Sequence, residues 1–394
     1  MKQPPALFAE MTQSEPRRPG ILSSQEIREL IRNGKIRSRM KIGDDQIQPA
    51  SIDLRLGSKA YRVRASFLPN GKYPIGPKIR ELLLDEIDLT RPAVLRTNEV
   101  YIVPLIESLE LPPDMSGKAN PKSTTGRLDV FTRLMTDSGM EFEQVPKGYS
   151  GDLYVEVVPR TFAIVVKEGT KLNQLRLFRG SPQSDDEQLR KLAQKKSLVY
   201  FENGDTPVKP IIRGGLRVSV DLQGEDAQSI VAYRAKENLT PIDLSKVGAY
   251  DVEGFWEPIR GEDSNCLILN PGEFYLLASK ERVGVPPGYA AEMEPYDPSI
   301  GEFTVHYAGF FDPGFGHGLD GEIKGTKAVL EVRAHEVPIL LEDAQEVGRL
   351  VYHKMAEVPD ILYGQAIGSS YQKQGLALSK QFKRIVSTQA AARG

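Results

Sequence analysis

The sequence predicts an all-β protein built from two tandem copies of one β domain. Two observations carry this prediction: short runs of alternating apolar and polar residues lie between Gly, Pro and Asn turns, and a long stretch of the chain is repeated. Alternation with a period of two is typical of strands with one buried face. At 394 residues the chain has room for two to three domains. We expect distorted β-barrel or jelly-roll domains with short helices at their edges.

The internal repeat carries most of this argument. Residues 98–117 parallel residues 271–290, with Glu99 matching Glu273 (273 − 99 = 174). Further along, Glu156 of YVEV matches Glu331 of VLEV (331 − 156 = 175). A nearly constant offset over such a length indicates a duplicated domain. Two unrelated β domains with similar turns are the alternative.

The chain divides into five predicted segments. They are a flexible N-terminal tail (1–20), a first repeat (21–180), a helical linker (181–199), a second repeat (200–365) and a C-terminal closing tail (366–394).

Two short helices are predicted from capping boxes, in which a Ser side chain and a Glu three residues later satisfy the first backbone N–H groups. Ser23 with Glu26 opens the first helix, and Ser184 with Glu187 opens the second, which continues to about Lys196. The strand-like runs include Tyr61–Arg64, Val100–Pro104 and Asp152–Val158.

Composition excludes several classes of protein. The 51 basic and 53 acidic residues give a net charge of −2, which argues against a duplex nucleic-acid binder that uses bulk positive charge. The single cysteine, Cys266, excludes disulfides within the chain and Cys-rich zinc sites. The start lacks a signal-peptide apolar region, and no run of about 18 apolar residues occurs, so we expect a cytoplasmic protein without a membrane partner.

Residues 121–130 form a candidate anion-binding segment. Lys122, Ser123, Thr124 and Arg127 place two cations and two hydroxyls within six residues. Such a group can hold a polyphosphate through charge-assisted hydrogen bonds. A solvated basic loop is the alternative on this evidence alone.

Carboxylates mark two further candidate positions. Asp312 begins an Asp-Pro-Gly turn and could accept a sugar hydroxyl, although a purely structural turn explains it equally well. Glu331 lies inside an apolar strand, and Glu156 has the same setting in the first repeat. A buried carboxylate is costly unless it is paired or functional, and burial raises its pKa toward the range used in proton transfer. An outward-facing strand position is the alternative for each.

Two weaker signals come from the histidines and the tail. All four histidines lie in the second repeat but lack the close spacing of a zinc enzyme, so we expect satisfied or surface histidines rather than a metal site. The tail sequence SSYQKQG (369–375) suits a flap that closes over a ligand. An ordinary disordered tail is the alternative.

Taken together, these segments resemble the dCTP deaminase branch of the trimeric dUTPase-like superfamily. IQPASIDLRLG (47–57) resembles that branch's opening strand motif, and Ser123, Thr124 and Arg127 resemble its Ser-Ser-x-x-Arg motif. FFDPGFG, VLEV and SYQKQG resemble the sugar-binding turn, the catalytic glutamate strand and the closing tail. The resemblance covers most of residues 21–375, with the motifs in the family's order.

The resemblance implies hydrolytic deamination of dCTP to dUTP and ammonia without zinc. In that reaction Glu331 is the general base, and Ser123 and Arg127 orient the water and stabilise developing charge. The nucleotide brings Mg²⁺ on its phosphates, so no protein metal ligand is implied. The implied substrate-binding residues are Lys122, Thr124, His306, Ala308, Asp312, Tyr371 and Gln374.

The sequence departs from this family because it carries two domains that look complementary. The first repeat keeps Arg127 but has QVPKGYSG in place of the Asp-Pro-Gly turn. The second keeps Asp312 and Glu331 but has Glu302 at the position matched to Arg127. We therefore expect one composite site, formed within one chain or between two, and a degenerate interface that holds Glu302 and Glu156.

Several points stay open at this stage. The family resemblance implies a homo-oligomer and a possible dTTP feedback effector. A dUTPase, or a bifunctional enzyme that takes dCTP through to dUMP, shares the fold and the phosphate grip. A nucleotide-binding regulator without catalysis is the third candidate.

Overall fold

The structure, a computed structural model, confirms the all-β prediction. It describes residues 18–137, 139–201, 207–224, 228–238, 240–261, 265–295, 303–306, 309–334, 336–364 and 375–384. Strands dominate these segments, and the α-helices are four short ones: α1 Ser24–Arg32, α2 Ile75–Leu82, α3 Ser123–Gly126 and α4 Asp186–Lys195. Single 3-10 turns lie at Asp44–Gln46 and Val252–Gly254. None of the helices in the described segments is long and apolar enough to span a membrane.

The first repeat contains thirteen described strands. They are β1 Gly20–Ile21, β2 Ile36–Ser38, β3 Ile52–Arg55, β4 Lys59–Val63, β5 Leu83–Asp88, β6 Ala93–Leu95, β7 Val100–Glu110, β8 Met115–Pro121, β9 Val130–Thr136, β10 Gln144–Val145, β11 Ser150–Pro159, β12 Ile164–Val166 and β13 Lys171–Arg179.

The linker and the second repeat contain another thirteen described strands. They are β14 Val199–Tyr200, β15 Leu216–Ser219, β16 Ile230–Ala235, β17 Ile242–Asp243, β18 Trp256–Arg260, β19 Cys266–Leu269, β20 Phe274–Val283, β21 Tyr289–Pro295, β22 Phe303–His306, β23 Phe310–Phe311, β24 Thr326–Ala334, β25 Ile339–Glu342 and β26 Glu346–Lys354.

Sheet topology recurs in the two repeats. One large sheet of the first repeat has the order β5-β4-β7-β11-β9, and its counterpart in the second has the order β18-β16-β20-β24-β22. A second sheet runs β1-β13-β8-β10 in the first repeat and β15-β26-β21-β23 in the second. The matched carboxylates therefore lie on equivalent strands, Glu156 on β11 and Glu331 on β24, and each of these strands has a partner on both sides.

The helix predictions are confirmed with one correction. The capping box of Ser23 and Glu26 opens α1 as predicted. For α4 the cap is Asp185, whose carboxylate accepts the backbone N–H of Gln188 at 2.7 Å, and not Ser184. Ser184 is instead fixed in the β-bridged segment before the helix, because its N–H donates to the carbonyl of Tyr352. Helix α2 and the single turn α3 were not predicted, because neither has a capping side chain.

The repeats are joined by a shared strand and a shared core. β17, from the second repeat, pairs in parallel with β12 of the first, with Ile164 opposite Ile242. Beside this junction Phe162 of the first repeat packs edge-on against Trp256 of the second, with ring centroids 5.5 Å apart. Phe382, near the C-terminus, packs against Trp256 from another side at 6.0 Å. Trp256 is fully buried, so the two halves share one apolar core here.

Candidate active site

A cavity of about 540 Å³ lies between the two repeats and collects most of the described candidate residues. The first repeat lines it with Lys122, Ser123, Thr124 and Arg127, and the second with Asp312 and Glu331. One chain therefore supplies both halves of the cavity. The two motifs therefore meet within a single chain.

The anion-binding segment begins where β8 ends and turns once as α3. Lys122 precedes this turn, and its Nζ lies 2.5 and 2.6 Å from the two carboxylate oxygens of Asp53 on β3. Burial raises the pKa of Asp53, and the Lys122 charge opposes that shift. Ser123 and Thr124 follow on the cavity wall. The segment thus presents a cation anchored by Asp53 and two hydroxyl side chains.

A segment near the C-terminus, residues 375–384, docks against this turn. The Arg127 guanidinium donates to the carbonyl of Ala377 at 2.9 Å, and Ser379 Oγ donates to the carbonyl of Thr124 at 2.9 Å. Lys380 then lines the cavity, and burial lowers its pKa. Sequence reasoning missed Lys380, because it lies beyond the SYQKQG motif and the contacts that hold its segment join residues some 250 positions apart.

Glu331 is buried at the cavity wall on β24. Its strand neighbours are Leu276 on β20 and His306 on β22, and the residue is only 7% exposed. Burial raises the pKa of Glu331 well above its usual value; Arg127 opposes that shift, and Asp129 adds to it. A carboxyl whose pKa is raised in this way is a better proton acceptor than an exposed glutamate and can return the proton later.

The carboxylate of Glu331 is packed directly against the backbone of α3. A Cβ atom placed on Gly126 would lie 2.2 Å from Oε2 and 2.6 Å from Oε1 of Glu331. Real Cβ atoms do not approach oxygen this closely. The close approach of the two repeats therefore depends on glycine at 126.

The Asp-Pro-Gly turn is fixed to the first repeat by an arginine. Arg176, on β13, donates to Asp312 Oδ1 at 3.0 Å and to the carbonyls of Phe311 and Ala291. Arg176 is almost fully buried, and burial lowers its pKa while Asp312 opposes that shift. Asp312 therefore stands at the cavity with its carboxylate oriented by a group from the other repeat.

The equivalent carboxylate in the first repeat has a different environment. Glu156 is fully buried and pairs with Arg133, whose Nη2 and Nε lie 2.5 and 3.0 Å from Glu156 Oε1. Arg133 stands opposite Glu156 in strand register just as His306 stands opposite Glu331. The Arg133 guanidinium also lies 3.6 Å from the ring centroid of Phe142 and donates to Ser66 Oγ. This carboxylate is thus closed off by an ion pair and by the β4–α2 connection.

Some predicted residues cannot be placed. Ala308, Tyr371 and Gln374 lie outside the described residues, as does Glu302, and His306 is described by its backbone alone. Among the residues that the structure describes, no group of three or more His, Cys, Asp or Glu side chains is arranged to hold a metal ion.

The strand-rich domains, together with a buried carboxylate that faces a basic, hydroxyl-rich turn across a cavity, are features of a nucleotide enzyme of the dUTPase-like class. The family model for the 2′-deoxycytidine 5′-triphosphate deaminase N-terminal domain matches residues 18–181. The model for the C-terminal domain of the same family matches residues 185–382. The chain belongs to the dCTP deaminase family.

Named relatives agree with this assignment. The chain is 33% identical over 169 residues to a "dCTP deaminase, dUMP-forming" of Streptomyces coelicolor, covering 40% of this chain and 80% of the relative. It is 34% identical over 192 residues to a protein of the same name from Halobacterium salinarum, covering 46% and 90%. A crystal structure of 2′-deoxycytidine 5′-triphosphate deaminase from Agrobacterium tumefaciens is 50% identical, with a TM-score of 0.82, covering 87% of this chain and all of that one.

Proposed function

We propose that this chain catalyses the hydrolytic deamination of dCTP to dUTP and ammonia, with Glu331 as general base. One observation carries the proposal: the buried carboxylate of Glu331 lies on the same cavity wall as the Ser123–Arg127 turn, although the two are about 200 residues apart. Membership of the dCTP deaminase family supports the substrate.

The proposed chemistry balances without a further reactant. Water adds to C4 of cytosine as Glu331 takes one of its protons. Glu331 passes that proton to the ring nitrogen N3. It then takes the proton of the new C4 hydroxyl and delivers it to the amino group, so that C4=O forms as the bond between C4 and the exocyclic nitrogen breaks and ammonia leaves. Ser123 orients the water, and Arg127 stabilises the charge that develops in the transition state. The raised pKa of Glu331 suits a group that must both accept and return a proton.

The remaining cavity residues are proposed to hold the nucleotide. Lys122, Thr124 and Lys380 line the side where a triphosphate would lie. Tyr371 and Gln374 are proposed to complete that grip, while His306 and Ala308 are proposed to face the base. Asp312 is proposed to accept the 3′-hydroxyl. Mg²⁺ is proposed to arrive on the phosphate oxygens, where it would neutralise negative charge.

A second product is favoured by the names of two relatives. The Streptomyces coelicolor and Halobacterium salinarum proteins are called dUMP-forming. In this chain that outcome requires a second hydrolysis, in which water cleaves the bond between the α- and β-phosphates and releases pyrophosphate. Product analysis separates the two: dUTP with ammonia supports simple deamination, and dUMP with pyrophosphate supports the bifunctional reaction.

A homo-oligomer is proposed from an unequal pair of small sheets. In the first repeat β6 and β12 are extended by β17 from the second repeat. The equivalent β19 and β25 form a two-stranded sheet in the described chain, with Ile268 and Leu340 more than half exposed. A second copy would cover that surface.

We also propose a cytoplasmic location, and dTTP as an effector that competes for the same cavity. The five-segment division of the chain remains part of this proposal.

The test is product analysis by anion-exchange chromatography after incubation with dCTP and Mg²⁺. The wild-type chain should give deaminated nucleotide, and Glu331→Gln should give none above background. Glu156→Gln is the matched control and should remain active. Activity in Glu331→Gln with loss in Glu156→Gln would reverse the assignment of the two repeats. Binding of dCTP without turnover would favour the regulator.

A further inference from the structure

We infer that Asp129 and Arg333 form a positioning pair that fixes the charge environment of Glu331 across the boundary between the repeats. The inference rests on the proposed function, because it concerns the environment of the proposed general base. Neither residue lines the reacting end of the cavity with Ser123 and Arg127, so both are argued to act through Glu331.

The pair is one of two cation–anion pairs that cross the boundary between the repeats, and the repeat that supplies the cation differs between them. The first repeat contributes Arg127 and, two residues later, Asp129. The second repeat contributes Glu331 and, two residues later on the same face of β24, Arg333. Arg127 acts on Glu331, and Arg333 binds Asp129, so each repeat supplies one cation and one anion.

The contacts hold this pair rigidly. Asp129 is 1% exposed, and its Oδ2 accepts hydrogen bonds from Arg333 Nη2 and from Thr161 Oγ, the latter at 2.5 Å. Arg333 also donates to Thr161 Oγ at 3.0 Å and to the carbonyl of Gly272. Asp129 has a φ of 53°, a left-handed conformation that Asp and Asn tolerate better than most residues. Side chain and backbone are therefore both fixed.

The internal repeat shows that the domain itself does not require this arginine. In the first repeat the residue two positions beyond Glu156 is Val158, an apolar side chain on the equivalent strand β11. Arginine occurs at this position only in the repeat whose glutamate faces the cavity. The arginine is therefore associated with the glutamate that lines the cavity, and the fold of the domain does not require it.

The groups around Glu331 can be enumerated from the elements packed against it. The segment after β8 carries Arg127 and Asp129, β24 itself carries Arg333, and β22 carries His306 opposite Glu331. On β20 the opposite residue is Leu276, flanked on the same face by Phe274 and Ala278, none of which is charged. Arg127 and Asp129 act on Glu331 in opposite directions, and Arg333 opposes the effect of Asp129 by binding it.

Two substitutions should move the pH dependence in opposite directions. Asp129→Asn keeps the shape and the left-handed conformation but leaves the Arg333 cation uncompensated, so the acid limb of kcat/KM for dCTP should move to lower pH. Arg333→Gln leaves the Asp129 anion uncompensated, so the same limb should move to higher pH. We expect shifts of about one pH unit. The double variant should return close to the wild-type profile.

A structural control separates charge from folding. Lys118 on β8 pairs with Glu292 on β21 at 2.6 Å, also across the repeats but outside the cavity lining. Lys118→Gln should lose an inter-repeat ion pair and leave the acid limb in place. Shifts of Asp129→Asn and Arg333→Gln in the same direction, or loss of kcat with an unmoved limb, would overturn the inference.

A second readout does not require turnover. Thermal stability is measured as a function of pH for Asp129→Asn and for Arg333→Gln, each with and without Glu331→Gln. Within each of these two backgrounds, the difference that Glu331→Gln makes reports the protonation of Glu331 directly. If the wild-type chain failed to deaminate dCTP, the proposed function would fail, while opposite shifts in this measurement would still support the pair. Equal behaviour in both backgrounds would overturn the pair whatever the activity.

Discussion

At the scale of single residues, the two matched glutamates show that one position of the fold can have two different environments. Both lie on a strand with partners on either side, and both are less than a tenth exposed. Glu156 faces Arg133, whereas the strand partner of Glu331 is His306. The first carboxylate is engaged in an ion pair with Arg133, whereas burial disfavours the charged form of the second.

Glu331→Gln should be more stable than the wild-type protein, by a margin that increases as the pH rises. Because the folded-state pKa is raised above the unfolded value of about 4.5, the folded state binds more protons than the unfolded state between those two values. The stability associated with the protonated carboxyl is fully present below about pH 4.5 and is lost as pH rises through the folded pKa. The difference in melting temperature between Glu331→Gln and wild type should therefore grow as the pH rises above about 4.5, and should level off once the pH exceeds the folded-state pKa.

The corresponding change in the first repeat should have the opposite sign. Glu156→Gln removes the charge that neutralises Arg133, a guanidinium whose side chain is 26% exposed. We expect a loss of about 1–3 kcal/mol in the free energy of unfolding near neutral pH, measured by urea denaturation. A stabilised Glu156→Gln variant would show that the two carboxylates do not differ in the way the contacts indicate.

Adding a single methyl group at Gly126 should strongly reduce activity. Gly126→Ala adds a methyl group at the position of the Glu331 carboxylate, so the side chain of Glu331 must move away from the cavity wall. We expect kcat to fall by about 10²- to 10⁴-fold, the usual contribution of a positioned general base. Gly288→Ala is the matched control, because a Cβ at 288 meets nothing within 4 Å. Equal activity in the two variants would contradict the packing of α3 on β24.

At the scale of elements, the segment at residues 375–384 packs between the anion-binding turn and the second repeat and contacts both. Phe382 is 4% exposed and packs edge-on against Phe255 and Trp256. Gln381 donates to the carbonyl of Leu244 at 3.1 Å, and Ser379 holds the carbonyl of Thr124. The aromatic anchor thus fixes the position of Lys380 at the cavity.

Removing that anchor should weaken substrate binding more than catalysis. Phe382→Ala deletes the apolar contacts that seat the segment, and we expect KM for dCTP to rise about tenfold, equivalent to about 1.4 kcal/mol. Phe201→Ala serves as the control, since Phe201 is 43% exposed and does not belong to the buried cluster that contains Trp256 and Phe382. Steady-state kinetics measures both. A fall in kcat with unchanged KM would place the segment in the chemical step instead.

The sequence predicted elements well where the signal is local. The α1 capping box and the duplicated strands depend on residues within a few positions of one another, and both are confirmed. The Asp185 cap differs by one residue because a tertiary contact fixes Ser184. Other features join distant parts of the chain: the pairing of β12 with β17, the position of Lys380 at the cavity, and the contact of Gly126 with Glu331. No local sequence pattern encodes such contacts. The duplication indicated only that the two repeats would share a site.

At the scale of the whole molecule, the two repeats contribute different walls to one cavity. The first repeat keeps the anion-binding turn and closes its own carboxylate behind Arg133. The second keeps an open carboxylate and the Asp312 turn, which Arg176 of the first repeat holds in place. Neither repeat alone presents the complete cavity. The pair of repeats is therefore the unit that forms the cavity, and the boundary between them is where we propose that catalysis takes place.

The shared core predicts that the two repeats unfold together. Trp256 is the single tryptophan of the chain, is fully buried, and packs against Phe162 of the other repeat, so its fluorescence reports on the junction. Far-UV circular dichroism reports on the strands of both repeats. Because β17 of one repeat extends a sheet of the other, opening the junction removes backbone pairing from both. We expect the two probes to give one coincident urea transition.

Weakening the junction should shift that transition without splitting it. Phe162→Ala removes a fully buried ring that packs on Phe255 and Trp256, at an expected cost of about 3–5 kcal/mol. Since the lost contacts belong to both repeats, both probes should move to lower urea by the same amount. A fluorescence transition that precedes the dichroism transition would mean that the junction opens while each repeat stays folded. The cavity would then be lost before the domains are, and activity would follow fluorescence.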